Sequence, residues 1–346
     1  MDKMTHTKFN LNNFLMSLSS SLDNTIQNNK FNIKYSSKRV AYIAVNIASK
    51  QNISPQEISD IFSYSIIYAN QTAKNNLDTF PFNAEDLQDN KTINNIVKIA
   101  YEIEQSLDIQ DNIIINKENI ISLFSSSYTD ELFNTINFWF DLTSSYQLPF
   151  FTFNHLHDFT QELEFTKLIA LSHTINDIIY SYSKREYTIP IDSRCKKICD
   201  FYAFDSKDSA RMIIASNLIN LGLLHIPQHI LQKNKKLTNN EMDIMKSVPY
   251  HTNSILYQVF GFDDIALLAS SAYERLDGSG YPNKLKANNL SLKNRVIAVL
   301  NIYQALCEKR PYRNIINSYN IIEIINSKEN EGKVDNTVTI GFTEDN

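Results

Sequence analysis

Glycine is absent from the first 221 residues of this 346-residue chain, and only six occur in all of it. Glycine supplies the positive-φ turns that side chains disfavour, and tight hairpins depend on them most. So long a stretch without it suits helices joined by Asn, Asp and Ser loops, and the expectation is an all-α fold. Two of the six, Gly278 and Gly280, stand in one short stretch. That marks a loop whose backbone needs freedom a side chain would deny.

Helix signals agree. Ser54-Pro55-Gln56-Glu57 and Thr238-Asn239-Asn240-Glu241 read as capping boxes, the first with proline at the first helical position. The second opens a helix expected to run to Phe260 through Pro249 with a kink. Val40, Ile43, Ala44 and Ile47 recur at helical spacing, as do Ile96, Ile99, Ala100, Ile103 and Leu107, and Val296, Val299, Leu300, Tyr303 and Leu306.

A weak repeat organises the chain. Helices starting near Ser37 and Asp192 are each followed by a turn and a second helix, ending near Ala69 and Asn220 respectively. A proline interrupts the pattern at Gln147-Leu148-Pro149-Phe150, so the expected division is residues 1–150 and 151–346. A long helix is expected from about His157 to Ser183.

The apolar share of 43% supports real cores, and a formal net charge of −5, with Lys and Arg dispersed, gives no nucleic-acid-binding arm. Cys195, Cys199 and Cys307 do not make a disulfide framework, and read as reduced thiols of a cytoplasmic protein. No segment reaches the ~18 to 20 apolar residues of a membrane span. Met1 to Leu18 lacks the pattern of a secretion signal, so no membrane insertion is expected.

The most specific motif is Glu274-Arg275-Leu276-Asp277-Gly278-Ser279-Gly280-Tyr281-Pro282. It resembles the signature of the HD-GYP domain, a helical bundle that usually hydrolyses the bacterial messenger cyclic di-GMP. Gly222, Ile226-Pro227, Leu237-Thr238, Pro249, Arg295 and Arg310-Pro311-Tyr312-Arg313 agree with that family in order and spacing. The resemblance covers about a hundred residues, from Ala215 to Arg313. The first 150 residues are similar only loosely, as a diverged HD-like repeat. Two HD-superfamily bundles in tandem are therefore expected, the second of HD-GYP type.

In that family, His and Asp side chains hold two or three metal ions that activate water. At the matching positions this chain has Ile219, Asn220, Val248, Ala272, Tyr273 and Asn301, and Leu223 replaces a phosphate-contacting lysine. Ile, Val and Ala cannot bind a metal, and Asn is a weak neutral ligand. The resemblance thus implies a degenerate site with no catalytic residue, no metal and no cofactor. Arg310 and Arg313 match the family's two phosphate-holding cations, and arginine suits that task. Each also has a plain structural reading, Arg310 as an ion pair within the bundle. The Glu274–Pro282 loop reads either as a fold element or as a contact surface for diguanylate cyclase (GGDEF) domains. His157-Asp158 is read as chance adjacency, and His225 with His229 as capping or solvent residues, since no carboxylate lies between them.

The expected function is a non-catalytic bacterial signalling module that binds cyclic di-GMP or a partner protein. The alternatives are an HDOD-like protein-interaction scaffold with no nucleotide role, and a metal-dependent phosphohydrolase as in the parent family.

Overall fold

The computed structural model describes residues 6–25, 36–70, 90–107, 109–110, 113–114, 117–126, 129–144, 148, 160–187 and 189–338. These are mostly helical, as the missing glycines predict. Among them the only sheets are two-stranded: His6–Phe9 with Gln161–Glu164, and Ile109–Gln110 with Ile113–Ile114. No helix among them is long and apolar enough to cross a membrane. The chain forms two compact units, Phe9–Gln161, and residues 1–8 with 162–346. Of the boundary expected at Gln147–Phe150, only Leu148 lies within the described residues.

The first unit contains α1 (Leu11–Asp23), α2 (Ser36–Ser49), α3 (Pro55–Tyr68), α4 (Lys91–Ser106), α5 (Lys117–Phe124), α6 (Asp130–Phe133) and α7 (Ile136–Thr143). Helix α2 packs against α1, α3 and α4, and its Val40, Ile43, Ala44 and Ile47 are buried as their spacing predicts. The Ser54 box closes α3: its hydroxyl accepts from Glu57 N at 3.3 Å, and Glu57 Oε2 accepts from Ser54 N at 3.0 Å. Arg39 is buried, which is tolerable because Glu104 of α4 meets it at 2.6 Å and is itself held by the Ser36 hydroxyl at 2.8 Å.

The second unit contains α8 (Phe165–Ser183), α9 (Ile191–Phe201), α10 (Ser206–Leu218), α11 (Gln228–Leu231), α12 (Asn239–Lys246), α13 (Val248–Leu256), α14 (Asp263–Ser270), α15 (Leu292–Cys307) and α16 (Ser318–Asn330). Short 3-10 segments at Leu221–His225 and Ser271–Tyr273 pack on α13 and α15 respectively. Helices α9 and α10 are joined by a short turn and pack on each other, as α2 and α3 do in the first unit.

Two expected helices differ. The one from Thr238 does not run through Pro249: α12 stops at Lys246, and α13 restarts at Val248 with Pro249 in its first turn. A first-turn position asks nothing of the missing N–H, whereas a mid-helix one would lose a bond and clash. The long helix before Ser183 begins at Phe165, because Gln161–Glu164 pairs as a strand with His6–Phe9. That partner is distant in sequence, and local periodicity carries no trace of it. His157 and Asp158 lie outside the described residues.

Candidate functional site

Close backbone approach assembles the site. A Cβ on Gly222 would lie 2.0 Å from the Val248 carbonyl oxygen, so only glycine lets the turn after α10 touch the start of α13. Thr252 fixes the contact, accepting from Gly222 N at 3.0 Å and donating to Ile219 O at 3.2 Å. This brings the turn that follows Ile219 and Asn220 against Val248. From the other side, Asn301 of α15 donates to Ala272 O at 3.3 Å. The Tyr273 hydroxyl then donates to Asn220 Oδ1 at 2.8 Å, and the Asn301 amide hydrogen-bonds the phenol as well. Burial pushes the Tyr273 pKa up, against the pull of the Arg185 and Arg310 charges, so the phenol stays neutral.

The six positions expected to be vacated ligands thus meet in the interior. Ile219, Val248 and Ala272 are each at most 1% exposed. The polar groups left, two carboxamides and a phenol, are satisfied by one another and by backbone. This donor set does not fit a cluster of divalent metals, which needs anionic carboxylates and imidazoles. Among the described residues no group of three or more His, Cys, Asp or Glu could hold a metal. His225 instead stacks on His251 with ring centroids 4.7 Å apart, and His229 is exposed. The three cysteines are buried and free.

The Glu274–Pro282 loop is built around Glu274, which is 1% exposed. Its Oε1 accepts from Asn283 N at 2.8 Å and its Oε2 from Leu285 N at 2.9 Å. The carboxylate is an internal clasp, and sequence reasoning missed that role. Arg275 donates to Glu274 O at 2.5 Å. Asp277 Oδ1 accepts from Ser279 N at 2.9 Å, and these bonds hold its carboxyl below the ordinary range. Gly278 adopts φ +79°, and a Cβ on Gly280 would sit 2.4 Å from Arg275 N. Tyr281 tilts against Tyr273 at 5.2 Å, and a cis bond joins it to Pro282.

Arg310 and Arg313 close a tight turn, exchanging backbone hydrogen bonds at 2.9 and 3.0 Å. They line a cleft of about 440 Å³ with Lys184, Lys309, Tyr312, Asn314 and Glu186, whose carboxylate pairs with Lys309 at 3.0 Å. The cleft is rich in cations and placed at the surface. Arg310 donates through Nε and Nη2 to Glu308 Oε2 at 3.1 and 2.8 Å. Glu308 also takes the Tyr180 hydroxyl. Arg313 donates to Ala305 O at 2.5 Å. Tyr312 is 58% exposed, so it borders the cleft and does not pack inside. Glu308, Tyr180 and Arg185 carried no signal in sequence, because their meeting depends on segments over a hundred residues apart.

Residues 170–338 match the sequence profile of the HD domain family. The chain is 26% identical over 184 residues to 3'3'-cGAMP-specific phosphodiesterase 1 of Vibrio cholerae, covering 52% of this chain and 42% of that protein. It is 36% identical over 115 residues to a cyclic di-GMP phosphodiesterase response regulator of Xanthomonas campestris, covering 31% and 29%. The chain thus spans less than half the length of these relatives. The crystal structure of a cyclic GMP-AMP specific phosphodiesterase of V. cholerae shares the fold, with a TM-score of 0.56, 14% identity and coverage of 98% of each chain. Residues 170–338, which hold the Glu274–Pro282 loop together with Ile219, Asn220, Val248, Ala272, Tyr273 and Asn301, thus belong to the HD and HD-GYP superfamily.

Proposed function

We propose that the second unit is a non-catalytic signalling module that binds a cyclic dinucleotide without hydrolysing it. The Tyr273–Asn220 hydrogen bond carries this reading. It satisfies, with neutral groups, the place where phosphohydrolase chemistry would need metal-bound hydroxide. Arg310 and Arg313 nevertheless remain at a cation-rich cleft. The relatives' names supply the ligand class, cyclic di-GMP or 3'3'-cGAMP. In this reading the first unit is a diverged HD-like repeat in tandem with it, in a bacterial cytoplasmic protein. Asp277 and Ser279, exposed on the loop, offer a contact point for a diguanylate cyclase domain.

Calorimetric titration with both nucleotides tests the proposal. Arg310→Ala with Arg313→Ala should weaken binding at least tenfold and flatten its salt dependence, since each charge-assisted contact is worth about 1.5–3 kcal/mol. Unchanged affinity in a folded double variant would place the nucleotide elsewhere.

One observation favours a second reading, an HDOD-like docking scaffold. Tyr250, Tyr257, Phe260 and Leu267 are each at least 59% exposed, and aromatic side chains of this kind anchor protein interfaces. Absence of any nucleotide binding would favour that reading.

A further inference from the structure

Behind the cleft, one carboxylate serves two guanidinium groups. Glu308 Oε2 meets Arg310 at 2.8 Å and Arg185 at 3.8 Å. The side chains are 1% exposed for Glu308, 18% for Arg310 and 11% for Arg185. The three groups carry a net positive charge in a nearly closed space, where solvent screens it poorly.

The two arginines are not equally provided for. Arg310 has two hydrogen bonds to the carboxylate. The 3.8 Å approach of Arg185 is an ion pair beyond hydrogen-bond reach, and among the described residues its guanidinium donates no hydrogen bond. A guanidinium has five N–H donors, so this one can still take up the oxygens of an incoming anion. Burial and the Arg310 charge both oppose the charged form of Arg185, with Glu308 acting the other way. An arriving anion would relieve both strains at once.

The location is telling. Arg185 and Arg310 both act electrostatically on the Tyr273 phenol, the group that fills the ligand position. Nearby, Arg313 Nε is buried without a partner, a second unused donor on the same cationic face.

We infer that Arg185, together with Arg310, forms a metal-independent subsite for a phosphate ester where the two share Glu308, behind the cleft that Arg310 lines. The guanidinium fork matches phosphate oxygens and supplies positive charge that metal ions would otherwise bring. This rests on the nucleotide-binding reading above, and no bond is made or broken.

The test titrates the full chain, in a metal chelator, with cyclic di-GMP, 3'3'-cGAMP, the linear product of cyclic di-GMP, and inorganic pyrophosphate. Binding should persist in chelator. Arg185→Met, which keeps the apolar stem, should weaken it at least tenfold. Arg185→Lys, which keeps the charge without the fork, should fall between. If the Met variant does not fold, the Lys variant decides, and parental affinity in it overturns the inference. Nucleotide binding that the Met variant retains, or that requires added manganese or iron, also overturns it and leaves the nucleotide reading standing. Arg185-dependent binding of pyrophosphate alone would uphold the subsite and reject the nucleotide reading. Failure of the parent to bind any of the four rejects both. The relative affinities of the cyclic and linear nucleotides distinguish a diester from a terminal phosphate as the group held.

Discussion

The Tyr273 hydroxyl and the Asn220 side-chain oxygen lie 2.8 Å apart, and this bond joins two positions where the resemblance would put metal ligands. A phenol and a carboxamide satisfy each other without an ion. Ile219, Val248 and Ala272, at three more of the positions the resemblance marks, are buried apolar side chains.

Restoring a carboxylate here should therefore harm the fold. Asn301→Asp removes the donor to Ala272 O and turns a buried anion towards a carbonyl. The expected loss is about 1–3 kcal/mol at neutral pH, read by urea unfolding. Stability that rises in the variant on adding manganese would show that metal binding survives in the pocket.

Glu274 should behave as a structural residue. Glu274→Ala leaves the Asn283 and Leu285 amides unpaired, at a cost on the order of 2–4 kcal/mol. Glu274→Gln keeps one acceptor arm and should lose about half as much. Parental melting of the Ala variant would contradict the clasp.

The first unit should respond to pH through Asp23. Its Oδ1 accepts from Ser37 N at 3.1 Å, but its Oδ2 is buried without a partner. Burial raises its pKa from 3.8 to about 7, opposed by the Ser37 hydrogen bonds and Arg39. The folded state thus binds the proton more tightly than the unfolded chain. Its stabilising contribution is full below about pH 4 and is lost as pH rises through about 7, on the order of a few kcal/mol. Trp139, the sole tryptophan, is buried in this unit and reports its unfolding. Asp23→Asn should flatten the pH dependence between pH 4 and 8; an unaltered slope in the variant would assign it to other groups.

Local chemistry was legible in the sequence, and distant pairing was not. Both expected capping boxes formed because each needs only four consecutive residues. The loop at Gly278 and Gly280 was readable for the same reason. Pro249 was recognised as a disturbance, yet whether a helix kinks or restarts there depends on the packing around it. The Gly222–Val248 approach, the Tyr273–Asn220 bond and the Arg185–Glu308–Arg310 cluster each join separate segments. The family resemblance marked Asn220, Tyr273 and Asn301 but could not say that they would hydrogen-bond one another. Arg185 belongs to no motif, and only its enclosure beside Glu308 distinguishes it from any other arginine.

The most direct test of the central claim is product analysis. The purified chain, with excess manganese or iron, is incubated with cyclic di-GMP and with 3'3'-cGAMP, and the mixtures are resolved by chromatography. With no cluster of His, Cys, Asp or Glu among the described residues to hold a metal-activated water, both nucleotides should remain intact. Linear product that accumulates in proportion to protein and vanishes with chelator would contradict the account.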